Sequence, residues 1–197
     1  MKRGTFRIIA GEWRGRRLSF VDDGRVRPTP DRVRETLFNW LMPRMQSARC
    51  LDLFAGSGAL GLEALSRGAG HVDFIDRDSR VIRQINDTLI LLDVRNAAQT
   101  HQRTAESFVN TAADNKRNSY DIVFVDPPYR QNALAKLLTA LPPLLSASSR
   151  VYAEWASDET VLLPAGWQTL RSGKAGQVAY HLLQYDALGS PTEDTDP

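Results

Sequence analysis

The chain has 197 residues, 42% of them hydrophobic, a formal net charge of +2 and a single cysteine, Cys50. That suits one globular domain with an appended element, and no apolar window is long enough for a bilayer span or a signal peptide. One cysteine excludes an internal disulfide and a cysteine-rich zinc site, and His71, His101 and His181 form no ligand spacing, so a reducing cytoplasm and no metal are expected.

The charge is unevenly placed. Residues 1–49 hold 12 Lys/Arg against 5 Asp/Glu, and the remainder 13 against 18. A basic end on a near-neutral chain points to a polyanion held by one face, or to a solvated arginine-rich arm. Phe6–Ile9 and Arg16–Phe20 alternate as two short strands joined by a turn over Gly11–Gly15. This predicts a basic β-hairpin with Trp13 at its tip, either stacking on a base between arginines or packing back onto the domain.

In Arg27-Pro28-Thr29-Pro30-Asp31, Thr29 reads as a helix N-cap with Pro30 at the first helical position. The helix carries Val33, Leu37, Trp40 and Leu41 on one face and stops at Pro43. Arg32 and Arg34 lie off that face, available to a ligand or to water. Strands are predicted at 49–54, 71–75, 98–103, 122–125 and 151–155. Helices are predicted from about 60 to 67, and over 78–92, 107–113 and 131–141. Residues 167–171 and 177–184 read as a closing antiparallel pair around Gly173 and Gly176. This alternation argues an α/β fold, a parallel sheet covered on both faces with an antiparallel far edge. Residues 1–45 form a basic extension (hairpin plus helix), 46–187 the main domain, and 188–197 a polar tail expected to be disordered.

Two motifs carry chemistry. Gly56-Ser57-Gly58-Ala59-Leu60-Gly61 fits G-x-G-x-x-G between a strand and a helix, with Asp76 20 residues after Gly56. Glycines let a ligand approach the backbone, and an acid ending the second strand accepts from ribose hydroxyls, so an adenosine-containing cofactor is expected. Asp52, four residues before Gly56, separates the candidates. A carboxylate there repels a pyrophosphate but pairs with the α-ammonium of S-adenosylmethionine. The second motif is Asp126-Pro127-Pro128-Tyr129 at the end of the 122–125 strand. Two prolines fix a stiff exit from the sheet. The Asp126 carboxylate and the Pro127 carbonyl together suit the two N–H groups of an exocyclic amine, and Tyr129 supplies a ring to stack on its heterocycle.

These two motifs together resemble S-adenosylmethionine-dependent amino-methyltransferases. The segments from Arg27 to Leu41 and from Gly173 to Tyr180 narrow the resemblance to the bacterial 16S ribosomal RNA (guanine-N2)-methyltransferases of the RsmD type, which modify guanine 966. It extends from about Arg7 to Tyr185. The resemblance implies a Rossmann-like class I methyltransferase with a mainly parallel seven-stranded sheet, an antiparallel edge strand and helices on both faces. It implies S-adenosyl-L-methionine held by Asp52, Phe54, Ala55, Gly56, Ser57, Gly58, Asp76, Arg77, Thr104 and Ala105. Asp126, Pro127, Pro128 and Tyr129 become the catalytic group. RNA is expected along Arg7, Trp13, Arg14, Arg16, Arg17, Arg27, Arg32 and Arg34, the partner being 16S ribosomal RNA, alone or in the assembling small subunit, and the enzyme a monomer. The rival readings are a DNA adenine-N6 methyltransferase, a small-molecule methyltransferase and a non-catalytic, cofactor-sensing RNA-binding module.

Overall fold

The alternation of strand and helix builds one sheet with helices on both sides. The structure is a computed structural model and describes residues 2–22, 29–112, 119–127 and 131–187. Among these, β1 (Lys2–Arg7) and β2 (Arg17–Asp22) form an antiparallel hairpin of their own. Then follow α1 (Asp31–Leu41), β3 (Arg49–Asp52), α2 (Ala59–Ser66), β4 (His71–Asp76), α3 (Ser79–Leu91) and β5 (Ala98–Gln102). The chain continues through α4 (Ala105–Ala112), β6 (Tyr120–Val125), α5 (Gln131–Ala140), β7 (Leu145–Ala156), β8 (Trp167–Ala175) and β9 (Val178–Tyr185). Pro28, Arg27, the Pro128-Tyr129 pair and the 188–197 tail lie outside the described residues.

The seven-stranded sheet has the order β5-β4-β3-β6-β7-β9-β8. β3 to β7 run parallel, and β9 pairs antiparallel with both β7 and β8. The strand that runs against the rest thus lies one in from the edge, and β8 is outermost. Composition decides which of the two goes inside: β9 brings Tyr180, Leu182 and Leu183 to the core, whereas β8 is largely exposed.

Strand alternation divides the core into two. One face packs Cys50, Phe74, Phe124 and Tyr152 against α1, α2, α3 and the hairpin. The other packs Leu51, Ile75, Val125 and Ala153 against α4 and α5. The third glycine of the loop motif has a packing reason: a Cβ on Gly61 would sit 2.2 Å from the Phe74 ring, so only glycine lets α2 lie this close to β4.

Several local expectations are corrected. Thr29 does not cap α1. Pro30 holds that position, its carbonyl accepting from Arg34 N–H at 3.0 Å, because the Thr29 hydroxyl has a tertiary partner described below. β7 begins at Leu145, six residues before the apolar run: Leu145 pairs with Tyr120, and a register shift before the Ile122–Arg150 pair takes up the serines between. Gly173 is inside β8, not at the turn; it sits opposite Tyr180, whose ring occupies the space a Cβ would need.

The hairpin is joined to the domain by buried charge. Glu63 of α2 is fully buried and accepts from Ile9 N–H (2.8 Å), Ala10 N–H (3.0 Å), Arg67 (2.7 Å) and Arg34 (3.4 Å). Arg34 also donates to the carbonyls of Arg7 (2.8 Å) and Thr29 (3.2 Å) and to Asp31 (2.7 Å). Both ions are thus hydrogen-bonded on several sides, the condition under which buried charge is tolerated. Residues of the 1–45 extension, among them Phe6, Ile8, Leu18, Phe20 and Phe38, share one continuous core with the sheet.

Candidate active site

The carboxyl ends of the parallel strands carry four acids on one face. Asp52 ends β3 and pairs in register with Phe74 and Phe124, so Asp76 and Asp126 follow two residues further along on that same side. Val125 pairs with Ala153, which makes Asp126 and Glu154 the next residues on adjacent strands. The open end of a parallel sheet is where such folds bind ligands.

Asp52 is 3% exposed, and its Oδ2 accepts the backbone N–H of Gly61 at 3.1 Å, satisfying one of the donors left over at the start of α2. Burial pushes its carboxyl up to about 7, aided by Asp76 and opposed by the bonds from Gly61 and Phe54 N–H. Asp126 is held well above the ordinary carboxylate range, first by burial, then by the negative charges of Glu154 and Asp52. Glu154 is raised by burial against the hydrogen bonds it accepts from the Tyr152 and Thr29 hydroxyls. No arginine or lysine pairs with Asp52, Asp126 or Glu154 among the described residues. Desolvated acids without a cation are costly, so the cluster suits a ligand that brings positive charge. A dinucleotide's pyrophosphate would meet these carboxyls with no cation among the described residues to offset them.

The loop between β3 and α2 forms the floor beside these acids. Gly58 takes the left-handed conformation at the helix start (φ 78°), and Ser57 turns its hydroxyl inward to accept from Ala59 N–H at 3.3 Å. Ala55 and Ser57 are buried, while Phe54 and Gly56 are partly exposed. Asp76 accepts from Gly56 N–H (3.0 Å) through Oδ2 and from Asp78 N–H (2.8 Å) through Oδ1, so it also ties the loop to the second strand. Each oxygen keeps a lone pair for a further donor. Arg77 is exposed next to it. Thr104 and Ala105 follow β5 at this same end; the Thr104 hydroxyl accepts from Ser107 N–H at 3.2 Å as the cap of α4, and Ala105 is buried. Pro127 is buried directly after Asp126.

Of the arginines expected to meet RNA, Arg7, Arg14, Arg16, Arg17 and Arg32 are exposed. Two expectations fail. Arg34 is 0% exposed and committed to the Glu63 network, so it offers nothing to a phosphate. Trp13 is 7% exposed, and its backbone N–H donates to Ser66 Oγ at 3.0 Å. The hairpin tip folds inward because Ser66, at the end of α2, accepts Glu12 N–H (2.7 Å) and donates to the Ala10 carbonyl (2.7 Å). An eight-residue helix is about 12 Å long, so the tip lies that far from the glycine loop at the helix start.

Sequence reasoning also missed three residues of the site: Glu154, Tyr152 and Thr29. A lone acid inside the apolar run Val151–Trp155 was the available signal, since a charge in a buried strand needs a purpose.

A family model described as Conserved hypothetical protein 95 matches residues 6–184. The chain belongs to that family. It is 43% identical to ribosomal RNA small subunit methyltransferase D of Escherichia coli, over 97% of this chain and 96% of that one. The Haemophilus influenzae protein of the same name is 38% identical, over 92% of this chain and 95% of that one. The solved structure of yhhF from Escherichia coli superposes with a TM-score of 0.83 at 44% identity, covering 93% of this chain and 99% of that one. Like other structures of lower identity, it carries the same sheet and helices. No helix among the described residues is long and apolar enough to cross a membrane, and no cluster of three metal-binding side chains occurs among them.

Proposed function

We propose that this family member is an S-adenosyl-L-methionine-dependent methyltransferase acting on the exocyclic N2 amine of a guanine, position 966, in 16S ribosomal RNA. The observation that carries this reading is the placement of Asp126 beside Asp52 and Glu154, uncompensated by any cation among the described residues, next to the glycine loop. The near full-length similarity to proteins named ribosomal RNA small subunit methyltransferase D supports the substrate class.

The residues present fit the cofactor. Asp52 suits its ammonium group, Asp76 its ribose hydroxyls, and the backbone of Gly56–Gly58 its close approach. When bound, it supplies an electrophilic methyl group on a positively charged sulfur. Asp126 would be favoured in its ionised form by that positive charge. The Asp126 carboxylate then accepts one N2–H, the Pro127 carbonyl accepts the other, and the amine lone pair is left pointing outward. Fixed acceptors in a desolvated cleft also stabilise positive charge growing on nitrogen, and Asp126 receives the proton that nitrogen gives up. Alignment of this kind supplies roughly 7–11 kcal/mol in the best cases. Pro128 and Tyr129 complete the motif, Tyr129 stacking on the extruded base. Arg7 and Arg32, with Arg14, Arg16, Arg17 and Arg27, hold phosphates around it, and the RNA substrate places the enzyme in the cytoplasm.

The test is transfer of labelled methyl to 16S ribosomal RNA, and to small subunits from cells lacking the enzyme, followed by mapping. Label on one guanine N2 is expected. Label on adenine, or none in any RNA, overturns the proposal.

A further inference from the structure

Glu154 has the surroundings of a ligand-binding acid, with one of its two oxygens taken up by the fold. It is the neighbour of Asp126 across the β6–β7 pair, one residue beyond the Val125–Ala153 register, and strands so paired lie about 4.8 Å apart with side chains on a common face. It is 9% exposed. Tyr152 donates to its Oε1 from below, and Thr29, just ahead of α1, donates to that same oxygen at 3.4 Å. Two hydroxyls from separate elements thus orient the carboxyl, while Oε2 carries no hydrogen bond among the described residues. Compare Glu63, buried completely, whose two oxygens are filled by two arginines and two backbone N–H groups. Glu63 has both oxygens committed to the fold; Glu154 is half satisfied and stands beside Asp126 on the same face of the sheet.

The nucleobases differ in what they would offer that free oxygen. Guanine places an N1–H directly beside its N2 amine, two donors side by side. Adenine places an unprotonated N1 beside its N6 amine, an acceptor next to a donor. Two adjacent acids match the first pattern and repel the second. We infer that Glu154 is the specificity-determining residue, its Oε2 accepting the N1–H of the guanine whose N2 amine Asp126 holds. This assignment rests on the base-methylating reading above. A site built to accept a donor rejects an analogue lacking it by large factors, because its own buried polar group is left unpaired.

The experiment uses small-subunit RNA assembled around a segment carrying guanine, 2,6-diaminopurine or inosine at the mapped position. 2,6-Diaminopurine keeps the N2 amine but has an acceptor at N1; inosine keeps the N1–H but has no amine. The wild-type protein is expected to prefer guanine over 2,6-diaminopurine by at least about 100-fold in kcat/KM. Glu154→Gln, whose amide donates to an N1 acceptor, is expected to narrow that preference at least tenfold while binding S-adenosylhomocysteine within about twofold of wild type. A wild-type preference below about threefold overturns the inference and needs no variant. So does a Glu154→Gln protein that loses rate equally on both bases, or one that loses cofactor affinity with its preference unchanged. Methylation of the inosine RNA as fast as the guanine RNA, or of no RNA at all, would instead bring down the N2-methylation reading itself.

Discussion

Arg34→Met removes the cation that joins the extension to the domain while keeping a side chain of similar length. Four bonds are lost, and they differ in weight. Asp31 is half exposed (51%), so water replaces the arginine there, and that pair is worth under about 1 kcal/mol. Glu63 keeps Arg67 at 2.7 Å and the N–H groups of Ile9 and Ala10, so its charge is weakened in pairing but not stranded. The carbonyls of Arg7 and Thr29 lose their recorded side-chain donor, at about 1–3 kcal/mol each where water does not reach them. The expected total is about 3–5 kcal/mol, the range found when a buried ion pair loses one partner. For a chain of this size that corresponds to a fall in Tm of roughly 6–20 °C. Urea unfolding followed by circular dichroism, with calorimetry as a check, measures it. Cofactor affinity of the folded fraction should hold, because the glycine loop lies at the other end of α2. A loss below about 1 kcal/mol would show that Arg67 alone neutralises Glu63 and that the hairpin is held by apolar packing.

Asp126→Ala should reduce methyl transfer by orders of magnitude while leaving S-adenosylhomocysteine affinity, measured calorimetrically, nearly unchanged; parallel loss of both would move Asp126 into the cofactor's site. Asp52→Asn separates binding from stability. With a folded-state pKa raised from 3.8 to about 7, this acid binds more protons folded than unfolded, so its contribution is most favourable below about pH 4 and is lost as pH rises through 7. The variant should therefore gain thermal stability at pH 8, show a flatter stability curve between pH 4 and 8, and bind cofactor at least tenfold more weakly; lower stability at pH 8 would refute the desolvation account. Trp13→Ala should destabilise by about 3–5 kcal/mol through the cavity it leaves, with RNA affinity of the folded protein unchanged in a filter-binding assay. Arg16→Gln does the reverse: stability within about 0.5 kcal/mol, and a salt slope of RNA binding shallower by about 0.7–0.9.

The order of strands and helices, the glycine loop and the placement of Asp52, Asp76 and Asp126 at strand ends were legible in the sequence. Periodicity and proline or glycine punctuation are local properties, and a doubly wound sheet is assembled mostly from local units. The long-range pairings were not. Whether β8 or β9 occupied the edge depended on which strand had more apolar surface to bury. Whether Trp13 met RNA or the core depended on Ser66, 53 residues away, taking the hairpin tip. Arg34 read as a surface cation because helical periodicity counts charge as exposed, and only a fully buried acid on another helix reverses that. Thr29 read as a cap for the same reason: its local partner was a backbone N–H, its actual one a carboxyl 125 residues further along the chain. Local patterning thus specified which elements form and where their ends carry acids. The pairing of distant buried polar groups, which no local pattern encodes, decided which side chains remain free to act.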